Sequence, residues 1–577
     1  MIFKNIFDDL NISKNDYFYL IILTVFSILI TYYLIILNEN IGIYCSDVFV
    51  YLTNSLAFAG YRASRVYLYL SPFLCFLTSL LFRLGFLSES SLYIVTGIFA
   101  ILGNIGIYVF LKNRFSSLLS LCGAILFGAF SLNLLWWANG TLDVPAVALS
   151  VWTIIFTILA IDKDSKYYLI ALPLFVLAIF TRYTTLFLLP LMLLYYLSFH
   201  DLFNNLELLL FNRPEFIRKI KTYLKSDEFK DVLKACEIAL VLLILFSATI
   251  LACGSHLSFL TQGSTFAAGS KGEVIDNAYT TDTFFYLHDF PNFLFADNVN
   301  FEGAIPVLVG SNPVSYLLIA LFALGLFLAV YKLINDVKNA RSEENFNWYF
   351  KYFVGILFIV LLIISILSFK INSIITIGIL LIDFVILFSF LRKNNVDREG
   401  YCLNAFVLAW FLVYFIFFTF LNIKVNRYII TVFPAFIYFV IFAINEVLDL
   451  AKKYDFFEFK DKNILKIIPI ILIVFCIFSA FAFPANVHWH EDFNKNKAIA
   501  DYLAGYDSDY NSKEVAVYNQ RSFNWYLKGN TIALTDEQLD YLESSNITYY
   551  ISDDNFNLEN YTIIFNKNNL YLYERIS

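Results

Sequence analysis

Apolar runs long enough to cross a bilayer recur from Tyr17 to Phe483, and that recurrence decides what the chain can fold into. Inside a bilayer every backbone N–H and C=O must find a partner within the protein, so only helices and closed barrels cross it. The runs lack the two-residue alternation of barrel strands and approach the ~20 residues that a spanning helix needs, so the spans are helices. Composition agrees. Of 577 residues, 59% are hydrophobic and 19% aromatic, with 64 Phe and 39 Tyr, well beyond a soluble domain. A net charge of −7 argues against nucleic acid as a partner. The seven Cys are scattered, mostly inside apolar runs, with no CxxC spacing that would mark a metal site or a disulfide framework. The first apolar run, about 17–37, is too long for a signal-peptide core and reads as a retained span.

Charge gives the sidedness, because short cytoplasmic loops keep Lys and Arg. The segments 199–234, 332–351, 392–398 and 452–466 are basic, whereas the stretch 256–312 has Lys271 as its sole Lys or Arg against six acids. That stretch belongs outside. The resulting fold class is a polytopic α-helical membrane protein with about 13 transmembrane helices. They lie near 17–38, 92–111, 116–135, 142–161, 167–181, 184–198, 235–253, 313–333, 350–368, 371–391, 400–420, 428–446 and 465–483. The N-terminus is then cytoplasmic and the C-terminus extracytoplasmic. The run 67–86 contains Arg83 and would invert the later loops if it crossed, so it reads as a helix that dips into the outer interface. The other reading makes it a true span, with 167–198 as a re-entrant hairpin.

Residues 1–485 thus form a membrane domain with external loops 39–91 and 254–312. Residues 486–577 turn polar and order as helix, strand, helix, helix and three strands, which suggests a small C-terminal α/β extracytoplasmic domain.

Candidate chemistry gathers on the outer face. Asp47 heads an otherwise apolar, aromatic stretch, where an acid costs solvation unless water, a partner or a substrate meets it. It is a candidate general base, with helix N-capping by Ser46 or Asp47 as the structural alternative. Tyr51 lies one turn on, on the same face. Asp143, in Asn139-Gly-Thr-Leu-Asp-Val-Pro145, is either a first-turn acid meeting the helix dipole or a substrate- or cation-binding acid. Arg182 and Arg427 are external arginines at membrane depth; each could fork onto a phosphate or snorkel to headgroups. Lys271, His256 and His288 are further candidates in the acidic loop. Trp136-Trp137 reads as an aromatic belt. Walker-type, HExxH and GxSxG motifs are missing from the sequence.

Taken in order, these pieces resemble the GT-C superfamily of membrane glycosyltransferases, in the branch of protein O-mannosyltransferases and aminoarabinose transferases. The carrying segments are Ser46-Asp47 with Tyr51, Ser71-Pro72 leading to Leu84-Gly85, Leu142-Asp143-Val-Pro145, Arg427-Tyr428 with Pro434, and the tail strings Val515-Ala-Val-Tyr518 and Trp525-Tyr526-Leu-Lys-Gly529. One departure is Val48, where many relatives carry a second acid. The resemblance implies transfer of a sugar from a polyprenyl- or dolichyl-phosphate donor to a hydroxyl of a protein, lipid or glycan acceptor at the outer face of the cell membrane. With that chemistry Asp47 takes the base role, Arg427 and Arg182 the phosphate, Asp143 acceptor or donor positioning and loop 254–312 the role of a lid, while Tyr51 beside the base and Lys271 in the loop are further substrate-binding candidates. No metal ligand is assigned, although a divalent cation is compatible. The competing readings are a lipid-linked glycan transporter or flippase, for which Asp383 is the clearest mid-span acid, and a glycan polymerase.

Overall fold

The computed structural model describes residues 6–61, 72–199, 213–252, 257, 282–301, 306–339, 348–369, 371–393, 398–421, 424–453, 466–489, 491–528, 531–535 and 538–576. Among them, eight helices are long and apolar enough to cross a membrane: Asp16–Ile41, Glu89–Lys112, Asp143–Asp162, Asp227–Ala252, Pro313–Asp336, Gly400–Phe420, Asn426–Lys452 and Ile467–Asn486. The other expected spans fall on shorter apolar helices, among them Ser117–Ala129 and Ser373–Phe388. The chain is a multi-pass membrane protein. Its outward helix faces are rich in exposed Ile, Leu, Val and Phe, as lipid contact requires.

Polar side chains bridge the helices where hydrocarbon offers them no partner. Asn104 donates to Ser27 Oγ at 2.8 Å and Trp137 to Thr31 Oγ1 at 2.8 Å, joining the first span to its neighbours. Gly103 lets Glu89–Lys112 approach Asp143–Asp162 closely, since a Cβ there would lie 2.9 Å from that of Ala148.

Between the first two long helices run Ser46–Ala59 and Phe73–Arg83, packed on each other. The second has 11 residues and rises about 16 Å, roughly half of a ~30 Å hydrocarbon core. The part of the run 67–86 that precedes Pro72 lies outside the described residues. Ser71 lies outside the described residues.

The loop 254–312 ends in a hairpin, β1 (Ala296–Asn300) antiparallel to β2 (Val307–Ser311), preceded by the short helices Phe285–His288 and Phe290–Leu294. Buried Tyr286, Phe293 and Leu294 anchor this half. The Tyr286 hydroxyl donates to Val425 O at 2.9 Å and accepts from Val425 N–H at 3.2 Å. His256 and Lys271 lie outside the described residues, so the lid expectation is tested only by this anchored half.

The C-terminal segment carries five strands, β3 (Val515–Val517), β4 (Thr531–Ala533), β5 (Tyr549–Ser552), β6 (Tyr561–Lys567) and β7 (Leu570–Arg575), ordered β4-β3-β5-β7-β6. β3 is parallel to β4 and β5, while β7 is antiparallel to β5 and β6. β4 was not expected from the sequence: at three residues it is too short to show an alternation. The period of two sorts the side chains. Val515 and Val517 meet Ile499, Leu503 and Phe523 on one face, and Ala516 meets Leu534, Leu542 and Tyr550 on the other.

This sheet region is seated on the membrane helices. Tyr526 packs edge-to-face on Phe49 at 5.5 Å between ring centres, and Trp525 stacks on Phe82 at 5.7 Å. The Trp525 indole N–H donates to Glu89 at 2.9 Å.

Candidate functional site

Four ionisable residues from four distant parts of the chain converge at one end of the bundle. Asp47 lies in the first turn of Ser46–Ala59, whose start follows extended Cys45. No side-chain cap bond forms there, so the capping alternative for Asp47 is not what the structure holds. Instead Asp47 Oδ2 accepts from Arg427 Nη2 at 2.5 Å. Asp143 opens its helix after a turn in which Gly140 takes φ +89° and Asn139 Oδ1 accepts from Thr141 N–H at 3.1 Å and its hydroxyl at 2.7 Å. Pro145 is tolerated two residues into that helix, where the N–H it lacks would be unpaired anyway.

Arg427 sits in the 3-10 turn Asn426–Val432, between the tethered Val425 and the helix that starts at Phe433. Its Nε lies 3.5 Å from Asp143 Oδ2, an ion contact without hydrogen-bond geometry, and its Nη1 donates to Cys45 Sγ at 3.1 Å. Arg182, just before the 3-10 turn Tyr183–Phe187, pairs with Asp143 Oδ1. The order is therefore Asp47, Arg427, Asp143, Arg182, with charges alternating. The Asp143 side chain is 3% exposed, Arg427 10% and Arg182 16%, against 27% for Asp47. Asp47 is the member that faces out. Neither arginine snorkels.

Aromatic faces complete the site. The guanidinium of Arg427 lies 5.4 Å from the Trp136 ring centre and that of Arg182 4.5 Å from Tyr428, cation–π distances. Trp136 and Trp137 are 1% and 0% exposed, so the aromatic-belt expectation is corrected. The doublet faces inward because it has a guanidinium and the Thr31 hydroxyl to meet there.

Hydrogen bonding in the cluster is incomplete. Arg427 Nε, Arg182 Nε and Trp136 Nε1 are buried donors with no hydrogen-bond partner among the described residues, and Asp143 Oδ2 is an acceptor in the same state. Buried polar atoms are rarely left so.

Burial alone would raise the Asp47 carboxyl. The charge and hydrogen bond of Arg427 outweigh it, aided by Arg521 and Arg182, and hold Asp47 below the usual carboxylate range. Burial, with the charge of Asp47, pushes the Tyr51 phenol well up, so Tyr51 stays protonated beside it. Cys45 is likewise pushed up by burial and remains a thiol.

Of the residues singled out from sequence, Asp47, Tyr51, Asp143, Arg182 and Arg427 come together, while Lys271 lies outside the described residues. Cys45, Trp136, Tyr428 and Arg521 were missed as site residues. Arg521 lies on the exposed side of Gln520–Tyr526, the helix seated on Ser46–Ala59. Nothing in its local sequence marks it. As for a divalent cation, both Asp47 and Asp143 are already engaged by arginines. Among the described residues no group of three His, Cys, Asp or Glu side chains comes together.

The comparisons with known proteins address the fold. A crystal structure of ArnT from Cupriavidus metallidurans bound to undecaprenyl phosphate superposes with a TM-score of 0.54, covering 96% of this chain and 98% of that one at 10% identity. At that identity the likeness is one of fold. Residues 70–209 match the family described as dolichyl-phosphate-mannose-protein mannosyltransferase, a stretch that contains Asp143 and Arg182. Apo ArnT from the same organism gives a TM-score of 0.49 at 10% identity over 96% of this chain and 97% of that one. The apo oligosaccharyltransferase of Archaeoglobus fulgidus gives 0.47 at 12% identity over 92% of this chain and 69% of that one. No curated protein matches the sequence.

Proposed function

We propose that this chain transfers a sugar from a polyprenyl- or dolichyl-phosphate donor to an acceptor hydroxyl at the outer face of the membrane. The observation that carries the reading is the set of unpartnered buried donors, Arg427 Nε, Arg182 Nε and Trp136 Nε1, around two guanidiniums beside a partly exposed carboxylate. Donors of this kind, two of them charged, suit a phosphate oxyanion, and guanidinium pairs with phosphate by paired N–H bonds. The family matching residues 70–209 is described by a dolichyl-phosphate-linked sugar, and the superposed ArnT is bound to undecaprenyl phosphate; both favour a lipid phosphate.

The chemistry follows from the charges. The acceptor oxygen attacks the anomeric carbon and loses its proton to Asp47. The bond from that carbon to the phosphate oxygen breaks, and the lipid phosphate leaves with the electron pair. Arg427 and Arg182 stabilise the charge that grows on the leaving phosphate. Attack opposite the leaving group inverts the anomeric centre. Asp143, between the two arginines, is a positioning residue: it holds both guanidiniums at a fixed separation. Tyr51 supplies a protonated hydroxyl beside the base. As a phosphate draws on Arg427, Asp47 loses part of its counter-charge and becomes a stronger base when substrate is present.

In this reading the N-terminus is cytoplasmic, residues 486–577 form an extracytoplasmic domain over the site, and the helices number about thirteen.

The test is undecaprenyl-phosphate binding to the purified chain in nanodiscs, compared with Arg427→Ala and Arg182→Ala. The expectation is at least about tenfold weaker binding for Arg427→Ala, the scale of losing a charge-assisted contact worth ~1.5–3 kcal/mol. Unchanged binding in both folded variants would remove the phosphate assignment.

A further inference from the structure

A cavity of about 210 Å³ opens where the end of the first long helix, the start of Glu89–Lys112 and the C-terminal helices meet. It is small against the ~300–1,000 Å³ of drug-sized sites. Its lining includes the carboxylates of Glu39 and Glu89, the Asn494 amide, the Lys497 ammonium and the rings of Tyr93 and Tyr526.

The walls are fixed in place. Glu39 accepts from the Ser90 hydroxyl. Glu89 accepts from Trp525 at 2.9 Å with one oxygen, and its other lies 4.0 Å from Lys497 Nζ. Asn494 donates to Asn40 O at 2.9 Å, which aims its carbonyl oxygen at Gly42. A Cβ on Gly42 would lie 2.4 Å from that oxygen, and Gly42 has φ +95°. Glycine at this position lets the chain pack directly against Asn494 and the Phe493 backbone.

Planar amides and carboxylates beside aromatic faces are what a sugar ring needs: acceptors and donors for its hydroxyls, and a flat apolar surface for its C–H face. Two carboxylates against one ammonium disfavour an anion. The cavity flanks the helix start that carries Asp47. Ile43 lines it four residues before Asp47, and Tyr526 lines it while packing on Phe49. The donor cluster is built for a phosphate; this cavity has the opposite charge character.

We propose that the cavity is an acceptor subsite that takes one neutral or amine-bearing monosaccharide unit and rejects uronic or phosphorylated sugars. It rests on the transferase reading above.

Saturation-transfer NMR on the full chain in nanodiscs tests it, with methyl hexoside, methyl hexosaminide and methyl hexuronide as probes and undecaprenyl-phosphate binding measured in parallel. The first two should receive saturation and the hexuronide none. Ser90→Phe, which fills the mouth, should abolish the signals while lipid-phosphate binding persists. Glu89→Gln should let the hexuronide in, an arm that decides even where Ser90→Phe fails to fold. Equal signals from all three sugars, or signals undiminished in a folded Ser90→Phe chain, would overturn the subsite. Failure of the wild-type chain to bind lipid phosphate would count against the transferase reading instead.

Discussion

Asp47 combines two properties that oppose each other in water: it is mostly enclosed, yet it stays ionised. Arg427 makes this so. A carboxylate whose native pKa lies below its unfolded one contributes stability above the unfolded value, about 4, and loses it as pH falls through the native value. Asp47 is lowered in this way. The folded chain should therefore lose no Asp47-dependent stability between about pH 5 and 8, with acid loss confined below about pH 4; thermal unfolding followed against pH checks this. Asp143 is a different case. It is 3% exposed between two guanidiniums, and Asp143→Ala would leave both without their shared counter-ion, costing about 3–5 kcal/mol. Thermal unfolding in nanodiscs should show that loss, whereas a change below 1 kcal/mol would contradict the positioning role. These residues were legible because an ionisable group among apolar neighbours stands out in a sequence. Cys45 and Trp136 were not, because an uncharged side chain carries no sign of the guanidinium it will meet.

At the scale of elements, two helices make separable predictions. Gln520–Tyr526 carries Arg521, whose charge helps hold Asp47 ionised, and it is seated on Ser46–Ala59. Two carboxylates and two guanidiniums cancel in the cluster, so Arg521 tips the site towards an anion. Arg521→Ala should weaken lipid-phosphate binding a few-fold and make it less salt-dependent, since an exposed charge is screened. Identical salt profiles for variant and wild type would count against that role. Ser373–Lys393 carries Asp383, 2% exposed with neither carboxyl oxygen hydrogen-bonded among the described residues. A buried acid without a partner costs stability. Asp383→Leu should leave sugar transfer unchanged and raise the melting temperature; loss of function there would favour the transporter reading. The helices were readable from length and hydropathy, but their ends were not. Breaks such as the 3-10 turn Asn426–Val432 answer to tertiary contacts, here the tether from Tyr286 to Val425.

For the whole molecule, apolar runs and the distribution of Lys and Arg were enough to anticipate a helical membrane body with a polar tail. They could not show that the tail folds back onto Ser46–Ala59 and Glu89, because that seat depends on single contacts such as Trp525 to Glu89 and Tyr526 to Phe49. Trp525→Ala removes one stacking partner and one hydrogen bond together. It should loosen the sheet region, increasing its protease sensitivity and lowering transfer without abolishing lipid-phosphate binding. The proposed mechanism turns on Asp47 accepting the acceptor's proton while the arginines hold the phosphate. Its most direct measurement is transfer from a radiolabelled lipid-phosphate sugar by Asp47→Asn in nanodiscs, with undecaprenyl-phosphate binding followed in the same preparation. Turnover should fall about 10²–10⁴-fold, the usual worth of general base catalysis, with binding retained; wild-type turnover by a folded Asp47→Asn chain would remove Asp47 from the base role.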